Sequence, residues 1–146
     1  MLQVYTDGLA EPNPGVGTYG YVVYRNGKKI AEQLGFAGNP VTNNYSEYQG
    51  LVKALQELHH FADEEIMIHS DSRLLISQMG GEWRVSKKAL KTRDPGSYVE
   101  KYLEAQELAK SFTRLRFVWI PREENTEADA LSRVAYREQI VKRRHA

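Results

Sequence analysis

Four carboxylates stand in this chain where patterning gives each only a weak local reason to be. Asp7 closes "LQVYTD" and Asp71 closes "EIMIHSD", two short runs that read as strands because they are apolar and rich in β-branched or aromatic residues. In "NNYSEYQGLVKALQEL", Leu51, Leu55 and Leu58 recur at helical spacing, and one turn back along that stripe stands Glu47. Asp129 lies one turn into a final helix, at the margin of a stripe made by Ala128, Leu131 and Ala135. Clustered carboxylates raise one another's pKa unless a cation sits among them. Hard oxygen donors without Cys or His suit Mg²⁺ or Mn²⁺, and Mg²⁺ commonly pairs protein carboxylates with substrate phosphates. Each acid also has a local explanation. Asn44 can cap the helix with Glu47 closing a capping box, Asp7 can be a turn residue, Asp71 an N-cap, and Asp129 a first-turn acid favoured by the helix dipole. A shared site accounts for all four at once.

The elements that must carry these acids follow from turn signals and periodicity. "TYGYVVYR" is a strong strand, Asn26-Gly27 a hairpin turn, and "KKIAEQLGFAG" the return, so the first third is a three-stranded antiparallel meander. "GLAEPNPGVG", with five Gly or Pro in ten residues, is expected to be irregular, which would end the first strand at Asp7. A helix from about Asn43 to Phe61 precedes the strand ending at Asp71. "SRLLISQMGG" is a brief helix stopped by two glycines. A further helix starts near Pro95, "RLRFVWIP" is the last strand, and the last helix begins near Asn125. The order describes a mixed sheet with helices on both faces, an α/β architecture. A right-handed crossover makes the strand ending at Asp71 parallel to the first, so both aspartates emerge at one edge.

Composition narrows the class. The 146 residues suit a single domain, 41% hydrophobic and 27% charged, with a basic C-terminal tail from about residue 137. No stretch approaches the length of a membrane span, and the absence of cysteine excludes disulfides and thiolate metal sites and fits a cytoplasmic location. Net charge is +1, but "RVSKKALKTR" (84–93) and "VKRRHA" are basic, which permits contact with a polyanion.

"YTDGLAEPNPGVGTYGYVV", "TNNYSEYQGLVKAL", "HSDSRLLISQM", "GEW" and "REENTEADALS" together resemble the type 1 ribonuclease H family, in order and spacing, over nearly the whole chain. The resemblance implies a five-stranded mixed sheet of strand order 3-2-1-4-5. It implies hydrolysis of the RNA strand of an RNA/DNA hybrid by a two-metal mechanism leaving 5′-phosphate and 3′-hydroxyl ends, with Mg²⁺ as cofactor and Mn²⁺ able to substitute. The family's four acids fall on Asp7, Glu47, Asp71 and Asp129. Gly8, Asn13 and Asn43 match positions at the RNA strand, and Thr42 and Asn44 match positions at the DNA strand. Ser72, Arg73 and Trp83 are also implied in substrate binding, Arg73 standing where some members carry an uncharged amide. Many members have a histidine in the loop before the last helix; here Arg122 stands there, as in the archaeal-type subgroup. Arginine cannot shuttle protons near neutral pH but can hold a phosphate. The segment after Trp83 is too short for the basic helix and handle loop of some relatives, and Arg84, Lys87, Lys88, Lys91 and Arg93 are expected to substitute in part. The implied protein is a monomer with no obligatory protein partner. The rival reading is a non-catalytic hybrid- or duplex-binding module on the same fold, which would normally have lost one of the acids.

Overall fold

A computed structural model describes residues 1–92 and 97–145. Arg93 and Pro95 therefore lie outside the described residues. Three antiparallel strands come first: β1 (Leu2–Glu11), β2 (Gly15–Arg25) and β3 (Lys28–Val41). Asn26 and Gly27 turn β2 into β3 with positive φ of 50° and 77°, as a two-residue hairpin requires. Helix α1 (Asn43–Glu57) and a 3₁₀ turn (Leu58–Phe61) cross over to β4 (Glu65–Ser70). Then come α2 (Arg73–Met79), α3 (Lys87–Thr92), α4 (Tyr98–Ala109), β5 (Arg114–Trp119), a 3₁₀ turn (Arg122–Glu124) and α5 (Thr126–Arg144). The sheet is five-stranded in the order β3-β2-β1-β4-β5, with β4 parallel to both β1 and β5.

The core lies between one face of this sheet and α1 with α4. Leu2, Val4, Tyr21 and Val23 meet Tyr48, Leu51, Leu55 and Leu58, all essentially buried, with Ala105 from α4. Each fully buried leucine stabilises the fold by ~1.5–3 kcal/mol. The leucines of α1 therefore offset the cost of carrying Glu47 at the head of their stripe. Helix α5 covers the opposite face over β1, β2 and β3. Its buried residues are small (Ala128, Ser132 and Ala135), so it sits close to the sheet.

The structure departs from the sequence reading at four places. β1 does not stop at Asp7 but runs to Glu11, because Ala10 and Gly17 still pair across the hairpin despite the Gly/Pro-rich sequence. Thr42, not Asn44, caps α1: its Oγ accepts from the Tyr45 amide at 3.1 Å, so Glu47 closes no capping box with Asn44. Ser72, not Asp71, caps α2, accepting from the Leu75 amide at 3.2 Å. The basic stretch expected as a tail from about 137 is helical, forming the end of α5 through Arg144.

Candidate active site

The parallel pairing of β1 with β4 ends at Tyr5 and His69. β1 continues past that point beside β2 alone, so Asp7 projects where β4 has already stopped and Asp71 has begun the turn into α2. Two glycines let helices close on this edge from opposite sides. A Cβ on Gly8 would lie 2.5 Å from the Ser46 carbonyl carbon and 2.6 Å from the Glu47 amide nitrogen, so α1 presses its first turn onto β1 beside Asp7. Gly20, the β2 partner of Asp7, would bring a Cβ within 2.5 Å of Leu131 Cβ, so α5 packs directly behind. Larger residues at either position would push a helix, and its acid, outward.

The result is a groove of about 640 Å³ that gathers Asp7, Glu47, Asp71 and Asp129 with Gly8, Asn13, Asn43, Trp119, Arg122 and Arg133. Asp7, Glu47 and Asp71 each offer one carboxylate oxygen, and these atoms all lie within 4.8 Å of one another. Asp129 stands at the wall, where Arg133 Nε donates to it at 3.3 Å. Ser132 Oγ donates to Asp7 Oδ2, also at 3.3 Å.

The electrostatics are those of acids crowded away from water. Asp7, only 6% exposed, has its pKa pushed up to about 7, by burial first and then by the charges of Asp71 and Asp129. Burial, reinforced by Asp7 and Asp71, raises Glu47 well above the ordinary carboxylate range. Asp71 is raised by burial and held back by the Arg122 guanidinium. Glu47 Oε2 is buried without a hydrogen-bond partner. A buried, unpaired carboxylate oxygen facing two further carboxylates is a donor set suited to a cation. The residues fit a hard divalent ion.

The residues expected around the acids divide into two groups. Asn13 and Asn43 line the groove, and each spends its carbonyl oxygen on the scaffold. Asn13 Oδ1 accepts from the Asn43 amide at 3.0 Å, and Asn43 Oδ1 accepts from the Ala10 amide at 2.7 Å. The hairpin tip is thereby tied to the start of α1, and among the described residues neither side-chain NH₂ group has a hydrogen-bond partner. Thr42 and Ser72 use their hydroxyl oxygens as helix caps, while Asn44 is exposed beside Thr42. Arg122 is exposed at the groove wall. Trp83 is elsewhere: it is 48% exposed after α2, outside the groove, followed by exposed Arg84 and the lysines of α3. Sequence reasoning missed Trp119, Arg133 and Ser132. Ser132 lies one turn after Asp129 on the buried stripe of α5, a spacing that could have revealed it.

A family model described as RNase H matches residues 1–137. A bifunctional protein of Mycobacterium tuberculosis is 34% identical over 131 residues, covering 88% of this chain, and the chain spans 34% of that protein's length. RNase H1 of the halophilic archaeon Halobacterium salinarum has a solved structure similar to this one, with TM-score 0.80 at 30% identity over 94% of this chain and 98% of the other. LC11-RNase H1, isolated from compost and solved in complex with an RNA/DNA hybrid, gives TM-score 0.82 at 32% identity, covering 96% of this chain and 99% of its own.

Proposed function

The chain belongs to the RNase H family, and from that premise we propose that it is an endonuclease hydrolysing the RNA strand of RNA/DNA hybrids to 5′-phosphate and 3′-hydroxyl ends. One observation carries the reading: three carboxylates, from β1, from α1 and from the turn after β4, bring an oxygen each within 4.8 Å, with one Glu47 oxygen buried and unpaired. Asp7, Glu47, Asp71 and Asp129 would hold two divalent ions, Mg²⁺ or in its place Mn²⁺. When bound, such ions supply an activated water and neutralise charge on the leaving 3′-oxygen.

The protein's own contribution is position and discrimination. Gly8 lets α1 close beside Asp7 and lines the groove together with Asn13 and Asn43, so a ribose beside the acids would meet all three. Contacts to the 2′-hydroxyl, which both donates and accepts, distinguish RNA from DNA. Thr42 and Asn44 at the start of α1, and Trp83 with the basic residues of α3, would follow the DNA strand; Ser72 and Arg73 at the start of α2 would meet the backbone near the scissile bond. Arg122 lies close enough to Asp71 to hold its pKa down, and as a permanent cation it would bind a phosphate there rather than carry protons. The protein would act as a monomer in the cytoplasm, without an obligatory protein partner. Among the described residues no helix is long and apolar enough to cross a membrane.

The test offers labelled RNA/DNA hybrid, duplex RNA and duplex DNA, each with Mg²⁺, Mn²⁺ or EDTA. Cleavage confined to the RNA of the hybrid and abolished by EDTA is the expected result. Tight hybrid binding without cleavage under any metal would favour the binding-module reading instead.

A further inference from the structure

Beside the acids stands a pair of side chains, Trp119 and Arg73, that the functional reading leaves without a joint role. Trp119 is the last residue of β5, in register with Ser70 of β4, so it leaves the sheet at the same edge as Asp71. It is 37% exposed, lines the groove, and its indole Nε1–H donates to the Asp71 carbonyl oxygen at 3.2 Å. That bond fixes the ring plane. On this ring rests the guanidinium of Arg73, whose Cζ lies 3.9 Å from the ring centroid.

Three arginines near the groove and the sheet ends are already spent on carboxylates, and Arg73 is not among them. Arg133 is committed to Asp129 and Glu11, Arg25 to Glu64, and Arg114 to Glu65. Arg73 is exposed and, among the described residues, has no carboxylate within ion-pair distance. One face of its guanidinium is covered by the indole, while its N–H edges have no hydrogen-bond partner among the described residues. A planar fork so held matches the oxygens of a phosphodiester, and stacking leaves less rotamer freedom to lose when the anion arrives. A solvated lysine or a free arginine would lack that pre-organisation.

We propose that Trp119 is a positioning residue that holds the Arg73 guanidinium against a backbone phosphate of the bound hybrid, on the Asp71 side of the groove. The inference rests on the hybrid-cleavage reading for the identity of the anion. It assigns Trp119 a role in binding through Arg73, not in the chemical step.

The experiment measures hybrid binding in EDTA, where cleavage does not interfere, across a series of salt concentrations. It compares the wild-type protein with Arg73→Ala, Trp119→Leu, Trp119→Phe and the Arg73→Ala/Trp119→Leu double variant, each checked for cooperative unfolding. Arg73→Ala should weaken binding and make log K less steep in log salt by about 0.9, one phosphate contact. Trp119→Leu should weaken binding about two- to fivefold, the size of an exposed cation–π contact, and flatten the slope in the same direction. Trp119→Phe keeps an aromatic face without the N–H and should stay near the wild-type slope. The double variant should bind no more weakly than Arg73→Ala alone. Additive losses in the double variant would overturn the proposal, since Trp119 would then act independently of Arg73. A wild-type slope in Arg73→Ala would overturn it by removing the phosphate contact. Equal losses in the Phe and Leu variants would overturn it in favour of the Asp71 hydrogen bond. A wild-type protein that binds no hybrid would instead sink the functional reading, and this one with it.

Discussion

The two ends of the sheet treat carboxylates in opposite ways. At the far end, where β1 begins and β2 turns, acids are paired. Glu64 meets Arg25 at 2.5 Å, Glu65 faces Arg114, Glu57 accepts from Tyr21, and Glu127 is held by Tyr24 and by Lys29 at 2.8 Å. Glu127 is accordingly lowered, chiefly by its hydrogen bond from Lys29. At the other end burial raises Asp7, Glu47 and Asp71, and neighbouring carboxylates add to it: Asp71 and Asp129 for Asp7, Asp7 and Asp71 for Glu47, Asp129 for Asp71. Asp129 and Glu127 lie less than a turn apart on α5, yet Asp129 stands at the carboxylate cluster with Arg133 beside it, while Glu127 meets Lys29 at the far end. Solvent-exposed pairs stabilise by little, typically ~0.2–1 kcal/mol. Buried unpaired acids cost more, so a fold that keeps them together is sacrificing stability at one edge, as sites for chemistry do.

Breaking the cluster should have the largest consequence. Asp71→Asn should reduce cleavage of the hybrid at least about 100-fold, beyond the 10–100-fold typical for residues that merely support a metal ligand. Robust turnover by a folded Asp71→Asn protein would remove the metal assignment. Arg122→Ala should come next, lowering turnover more than hybrid affinity; unchanged single- and multiple-turnover rates would leave Arg122 a solvated loop residue. The contrast itself can be sharpened with pH in EDTA. Asp7 binds its proton more tightly folded than unfolded, so the stability it contributes is fully present below 3.8 and lost as pH rises through about 7. Glu127 acts oppositely: its contribution is present above its unfolded pKa and lost as pH falls through the lowered folded value. Urea denaturation from pH 5 to 8 should therefore show metal-free stability declining with pH, and a flat profile would contradict the raised Asp7. The smallest effect belongs to Glu127→Gln. It should change stability by no more than about 1 kcal/mol, as for exposed pairs, and leave cleavage untouched.

What the sequence disclosed tracks how local each signal was. Three of the acids stood out because each interrupts a pattern: two predicted strands end at a carboxylate, and Glu47 spoils a leucine stripe; Asp129, at the margin of its stripe, was marked more weakly. The meander and the parallel crossover followed from turn signals and handedness, whereas the full strand order came only with the family resemblance. β1 was misjudged beyond Asp7 because Gly and Pro dominate locally, whereas the pairing of Ala10 with Gly17 belongs to the hairpin as a whole. The cap of α1 was misassigned by two residues because the helix already begins at Asn43, which puts Asn44 inside it and leaves Thr42 to accept from the Tyr45 amide. Trp119 was invisible for a related reason. Its stacking partner Arg73 and its acceptor at Asp71 are far away in sequence, and only the parallel register of β4 with β5 brings them together.

The central claim, that this edge gathers mutually repelling acids that a cation would relieve, is tested most directly by the stability of Asp7→Asn. Urea denaturation of wild type and Asp7→Asn at pH 7, in EDTA and in saturating Mg²⁺, separates repulsion from an ordinary structural role. The variant should be more stable than wild type in EDTA by about 0.5–2 kcal/mol, the range of typical stabilising substitutions. Mg²⁺ should narrow or reverse that gap, because the ion stabilises only the folded protein that still binds it. An Asp7→Asn protein no more stable than wild type in EDTA, with a gap indifferent to Mg²⁺, would contradict the account.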